Sequence, residues 1–272
     1  MDFSEQYGPW AVVAGASEGV GATFASAVAA RGLNVVLLAR RQQVLDEVAA
    51  AIEAEHGVRA RAVAVDLAEA DAADRVAEAT ADLDVGLFMY NAGADADFRP
   101  FLANTAEAAV AMVHRNCVVP TALSHLFAGP MADRGSGGII LVGSGAGFAG
   151  APNMVSYAAT KAFDMVLAEG LWAELHPRGV DVLGLVLGET DTPALRRLRE
   201  GRGLAAPPGV PLPGAASADD VVADAIEHLG DGPVWVYSEP LYAASRFMGS
   251  VSRRQAVEFM IQASAATMGA DD

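Results

Sequence analysis

With 53% hydrophobic and 19% charged residues over 272 positions, the chain has the apolar content for one large α/β core, which excludes a disordered protein. Its formal net charge of −16 argues against general nucleic-acid binding, because phosphate backbones are held by basic patches, so any anionic ligand must be held locally. One cysteine (Cys117), an acidic start without a signal-peptide pattern and no apolar run of about 18 residues give the expectation of a cytoplasmic protein without an internal disulfide or membrane span.

Short β-branched runs alternate with longer alanine-rich segments of helical period. The first run, 10–15 (WAVVAG), leads into 14–21 (AGASEGVG), where Gly15, Gly19 and Gly21 precede a helical stretch. Glycines there let the backbone approach a pyrophosphate, and the free amides at the helix start supply positive potential. The second run, 34–39, ends at Arg40 and Arg41 rather than at an acid. An acid near this position holds a ribose 2′-hydroxyl, whereas arginine suits a 2′-phosphate, so NADP(H) is expected over NAD(H). The third run, 61–66, ends at Asp66, which could accept from an adenine amine or cap the next helix.

Runs at 85–91, 138–144, 180–187 and 234–238 complete seven buried strands separated by helices, the pattern of a Rossmann-type, doubly wound, seven-stranded parallel sheet with helices on both faces. Ligands of such sheets bind at the carboxyl ends of the strands. The Gly- and Pro-rich stretch 201–217 reads as a long loop. We expect a single catalytic domain over 1–272, with a substrate loop or lid at 193–217 and a helical extension at 240–272. In that extension Ser252 and Gln255 have capping-box spacing. Val257, Ile261, Ala265 and Met268, with Met260 beside them, form a stripe expected in the core or at a subunit interface.

Between the fifth and sixth runs, 156–163 read SYAATKAF. Lys161 is the only lysine; the other 17 basic residues are arginine, a planar fork that cannot replace a compact ammonium. It lies four residues after Tyr157, on the same helix face. With AGASEGVG, Asn91-Ala92-Gly93, Ser144 and Tyr157-x-x-x-Lys161 in order, the chain over roughly 9–238 resembles the short-chain dehydrogenase/reductase family. The resemblance implies Asn116, Ser144, Tyr157 and Lys161 as catalytic residues. It implies a cofactor site of Gly15, Ser17, Gly19, Val20, Gly21, Arg40, Arg41, Asp66, Leu67, Asn91, Ala92, Gly93, Tyr157, Lys161, Gly188, Thr190 and Thr192, the last on the nicotinamide carboxamide, and no metal. It also implies a homodimer or homotetramer through the helices carrying Asn116 and Tyr157, where Ala158, Ala159 and Ala162 permit close contact. Three features depart from the family pattern: Ala14 for threonine, Leu187 for proline, and the added acids Glu189 and Asp191.

Tyrosine titrates near 10 when free. An ammonium about 4 Å away at an effective dielectric near 20 contributes about 4 kcal/mol, at most about 3 pKa units, and brings it towards acid/base use. Ser144 would then hydrogen-bond the substrate oxygen, and Asn116 would support a water leading to Lys161. Phe98, Phe101, Phe148, Met154 and Leu195 suggest an apolar pocket for a small-molecule ketone or secondary alcohol. An epimerase or dehydratase without net cofactor turnover, or a non-catalytic NADP-binding protein, would use the same cradle.

Overall fold

Trp10–Ala14 form the first strand, β1, and all five residues are buried, as in a strand covered on both faces. The computed structural model describes residues 2–95, 97–207 and 209–268. Further strands are β2 (Asn34–Ala39), β3 (Ala60–Ala64), β4 (Val85–Tyr90), β5 (Gly137–Ser144), β6 (Val180–Leu187), the two-residue β7 (Thr190–Asp191) and β8 (Ala216–Ser217), and β9 (Val234–Val236). Seven of them form one sheet of order β3-β2-β1-β4-β5-β6-β9, parallel at every pairing. The order reverses between β1 and β4, which opens a crevice at their carboxyl ends.

The helices are α1 (Phe3–Tyr7), α2 (Gly19–Ala29), α3 (Gln42–His56), α4 (Ala72–Thr80), α5 (Ala106–Val113), α6 (Val119–Arg134), α7 (Val155–Leu175), α8 (Pro193–Gly201), α9 (Ala218–Glu227), α10 (Glu239–Ser250) and α11 (Arg253–Met268). Alternation along each strand sends side chains to two separate cores. Ala11, Val13, Val35 and Leu37 face α2, α3 and α9 through Phe24, Leu45 and Val221. Val12, Ala14, Val36 and Leu38 face α4, α6 and α7 through Val76, Phe127 and Ala168. The doubly wound α/β architecture read from the strand pattern is the observed one.

Differences lie at the edges. β3 ends at Ala64, two residues early, because Asp66 turns the chain by accepting from Ala68 N at 3.0 Å. Asp66 therefore makes a turn rather than a helix cap. The expected lid begins with a helix, α8, capped by Thr192 Oγ1, which accepts from Leu195 N at 3.2 Å. Its base is closed by the β7–β8 pairing, Thr190 with Ala216 and Asp191 with Ser217. Pro208 in that lid, and 269–272 of the extension, lie outside the described residues, as does the side chain of Met268.

Candidate active site

The glycine turn between β1 and α2 is shaped by close backbone approach. Gly15 has φ +84°, and a Cβ there would stand 3.0 Å from Ala92 N, so only glycine lets the Asn91-Ala92-Gly93 turn lie against it. Asn91 N donates to Ala14 O at 3.0 Å, a backbone tie that needs no threonine hydroxyl at position 14. Gly19, Val20 and Gly21 form the first turn of α2, whose unpaired amides suit a pyrophosphate; Ser17 borders them, partly exposed. This cradle fits a dinucleotide. Arg40 and Arg41 stand exposed at the end of β2, and Arg41 Nη2 lies 3.7 Å from Glu18 Oε2. Leu67 is buried in the core beneath the turn after β3.

Ser144 ends β5, and its Oγ accepts from Ala146 N at 3.2 Å, starting the 3-10 turn Gly145–Phe148. Tyr157 and Lys161 occupy the first two turns of α7, beside that turn. Lys161 Nζ lies 5.9 Å from the Tyr157 ring centroid. It donates to Val142 O at 2.7 Å and to Asp164 Oδ2 at 2.9 Å. The simple ammonium–phenol pairing expected from the sequence is thus incomplete, because a buried carboxylate shares the charge.

Asn116 lies in a π-helical turn, His114–Val118, between α5 and α6. Its Nδ2 donates to Gly93 O at 3.0 Å and to Thr160 Oγ1 at 2.9 Å, and Thr160 Oγ1 donates to Tyr157 O at 2.8 Å. A Cβ on Gly93, φ +122°, would stand 2.5 Å from Asn116 Oδ1. Asn116 therefore clamps the turn after β4 to the helix carrying Tyr157, and its side chain makes no bond to Lys161.

The added acids have partners on the lid. Asp191 takes a two-pronged bond from Arg196, both contacts at 2.6 Å, and Glu189 accepts from Arg199 at 2.5 Å. Arg197 pairs with Glu18 in the glycine turn. Thr192 packs against Gly19, Gly188 is exposed, and the buried Thr190 Oγ1 has no hydrogen-bond partner, an atom that a polar ligand group could satisfy.

An apolar wall stands beside Tyr157. Phe98 meets its ring edge-on at 5.3 Å between centroids, and Phe148, Met154, Met248, Ala256 and Met260 pack in the same cluster. Arg202 on the lid holds the Phe98 loop by donating to Asp97 O at 3.1 Å. Leu195 sits half-buried on α8, whereas Phe101 is 51% exposed and outside the cluster. The expected stripe on the C-terminal helix is met in part: Met260 is buried and Val257 packs partly buried against the same cluster, joined by Ala256, whereas Ile261 is 42% exposed and Ala265 is exposed. Two residues were missed altogether. Asp164 is signalled only as an acid three after Lys161, and Glu18 only as an acid inside a phosphate motif.

A short chain dehydrogenase family model matches residues 9–203. The chain is 37% identical over 232 residues to a 7beta-hydroxysteroid dehydrogenase of Clostridium sardiniense, covering 85% of each. It superposes with a TM-score of 0.86 and 30% identity on a structure solved to explain 7beta-hydroxysteroid dehydrogenase stereoselectivity, over 96% of this chain and 99% of that one. A short-chain dehydrogenase from Sphingobium yanoikuyae in complex with NADPH gives 0.76 and 32%, over 91% and 93%.

Proposed function

The chain belongs to the short-chain dehydrogenase family, oxidoreductases of CH–OH and C=O groups, and from that premise we propose that it interconverts a bulky hydrophobic ketone, such as an oxosteroid, and its secondary alcohol with NADP(H). This reading is carried by Ser144 ending β5 and by Tyr157 and Lys161 opening α7, which packs against the turn after Ser144, next to an apolar wall of Phe98, Phe148, Met154 and Met260. A bound nicotinamide dinucleotide would supply the hydride for reduction and take it up in oxidation. Tyr157 moves the accompanying proton to or from the substrate oxygen, and Ser144 Oγ donates a hydrogen bond to that oxygen. Lys161 supplies the positive charge that favours the phenolate and holds the nicotinamide ribose hydroxyls.

Gly15, Gly19, Val20 and Gly21 hold the pyrophosphate through backbone amides, with Ser17 beside them. Arg40 and Arg41 take the 2′-phosphate, which is why NADP(H) is favoured; the NADPH complex of a relative supports the same choice. Asp66 and Leu67 would border the adenine, Asn91, Ala92 and Gly93 would line the cleft beside it, and Gly188, Thr190 and Thr192 would hold the carboxamide end. Asn116 keeps Tyr157 aligned through Thr160.

Assembly as a dimer or tetramer is supported by exposed apolar residues at helical spacing on α7, namely Val155, Phe163 and Val166, facing outward like Val110 and Val113 of α5. Ala159 is exposed on this side, but Ala158 is buried against Met154 and the C-terminal helices. No described helix is long and apolar enough to cross a membrane. A cytoplasmic location suits the single thiol, Cys117. The test is a panel of oxosteroids and smaller ketones, followed by cofactor absorbance with NADPH and with NADH. Turnover of the bulky substrates with NADPH is expected, and none with any ketone would refute the reading.

A further inference from the structure

Asp164 is the only acidic residue among the buried polar and charged side chains of the described residues, 3% exposed, and Lys161 is the only base. The mechanism above gives it no task. A buried carboxylate is costly unless paired, and its pairing here is with the residue that Tyr157 depends on.

Its surroundings isolate that pair. Asp164 is faced by Lys161 from α7, by Tyr90 from β4 and by Cys117 from the π-helical turn. Burial holds the Tyr90 phenol far above its ordinary range, and its hydroxyl donates to Arg115 O. Burial likewise pushes the Cys117 thiol up to about 11. The Arg115 guanidinium is aimed elsewhere, at Ala94 O and Asn116 Oδ1. Lys161 is therefore the charged partner that Asp164 meets at neutral pH.

We infer that Asp164 is a positioning residue of the acid/base pair: its carboxylate holds the Lys161 ammonium against Val142 O and offsets part of the charge that reaches Tyr157. The functional consequence rests on the acid/base reading of Tyr157. The geometry does not. A compact ammonium can bond Val142 O and Asp164 Oδ2 together within one helix turn, which a broad guanidinium fits poorly.

Because Lys161 is the only lysine, isotope-labelled lysine gives one resonance from the folded, cofactor-free protein. Burial raises Asp164 above the ordinary carboxylate range while Lys161 pulls it back. The lysine signal should therefore shift as pH falls through a carboxyl titration, and that inflection should vanish in Asp164→Asn. Tyr157 is read in parallel from the tyrosinate absorbance of each protein minus that of the same protein carrying Tyr157→Phe. In Asp164→Asn the tyrosinate signal should appear at lower pH than in wild type, and the alkaline rise of alcohol oxidation should move with it. Asp164→Glu should restore part of the wild-type profile. A wild-type lysine signal with no carboxyl inflection overturns the inference, and this measurement needs no variant to fold. Unchanged or raised titration of Tyr157 in Asp164→Asn overturns it equally. Full turnover by Tyr157→Phe would instead remove the acid/base reading, while the two spectroscopic titrations still decide whether Asp164 governs the charge of Lys161.

Discussion

Arg197 Nη1 donates to Glu18 Oε2 at 3.1 Å across 179 residues of chain, joining the lid helix α8 to the glycine turn. The same carboxylate lies 3.7 Å from Arg41. Glu18 thus occupies two arginines at a site proposed to hold phosphate. We predict that Glu18→Gln tightens NADPH binding by about 1.4-fold to fivefold, the range of an exposed ion pair worth about 0.2–1 kcal/mol. Fluorescence titration at two salt concentrations checks it, with a smaller gain at higher salt.

Arg40 and Arg41 stand at the end of β2 with no acid on that strand end. Charge-assisted hydrogen bonds to phosphate contribute about 1.5–3 kcal/mol, so replacing both by alanine should raise KM for NADPH by about tenfold or more and leave KM for NADH nearly unchanged. Steady-state kinetics with the two cofactors measures this. Equal loss with both would show that the arginines do not read the 2′-phosphate.

The hydrogen bonds from Arg196 hold the Asp191 carboxyl below its usual range, aided by the Leu212 amide, which donates to Asp191 Oδ2 at 3.0 Å. A depressed folded-state pKa means that the stabilisation is present above the unfolded pKa and is lost as pH falls through the folded one. The lid base should therefore stay protected at the pH where an ordinary aspartate titrates, about 3.9, and open only below it. Hydrogen exchange at the Leu212 amide reports this opening, and Asp191→Asn should lower its protection at neutral pH by about twofold to fivefold.

The strands were legible because a sheet buried on both faces writes itself as runs such as 34–39, where β-branched and leucine residues need no alternation with polar ones. The glycine turn and the Tyr157–Lys161 spacing were legible because one needs close backbone approach and the other one helix face. The lid helix was not. Residues 193–201 carry three arginines whose partners Asp191, Glu18 and Glu189 lie outside the helix, so its stabilisation is tertiary. The register of α11 was ambiguous for a different reason: 256/260 and 257/261 both offer an apolar pair, and only the tertiary cluster, which buries Ala256 and Met260 and leaves Val257 at its edge, distinguishes them. Asp164 escaped notice because an acid three residues after a lysine on a helix is usually a solvated pair, and burial alone changes its meaning.

The central claim is that Tyr157 transfers a proton during NADP(H)-dependent carbonyl reduction, and the most direct test compares wild type with Tyr157→Phe. NADPH consumption with a bulky oxosteroid should fall at least about a hundredfold in the variant, as for loss of an acid/base group. NADPH affinity, measured by fluorescence, should stay within about threefold, since the phenol holds no phosphate. A variant that binds NADPH and keeps more than about a tenth of the wild-type rate would contradict it.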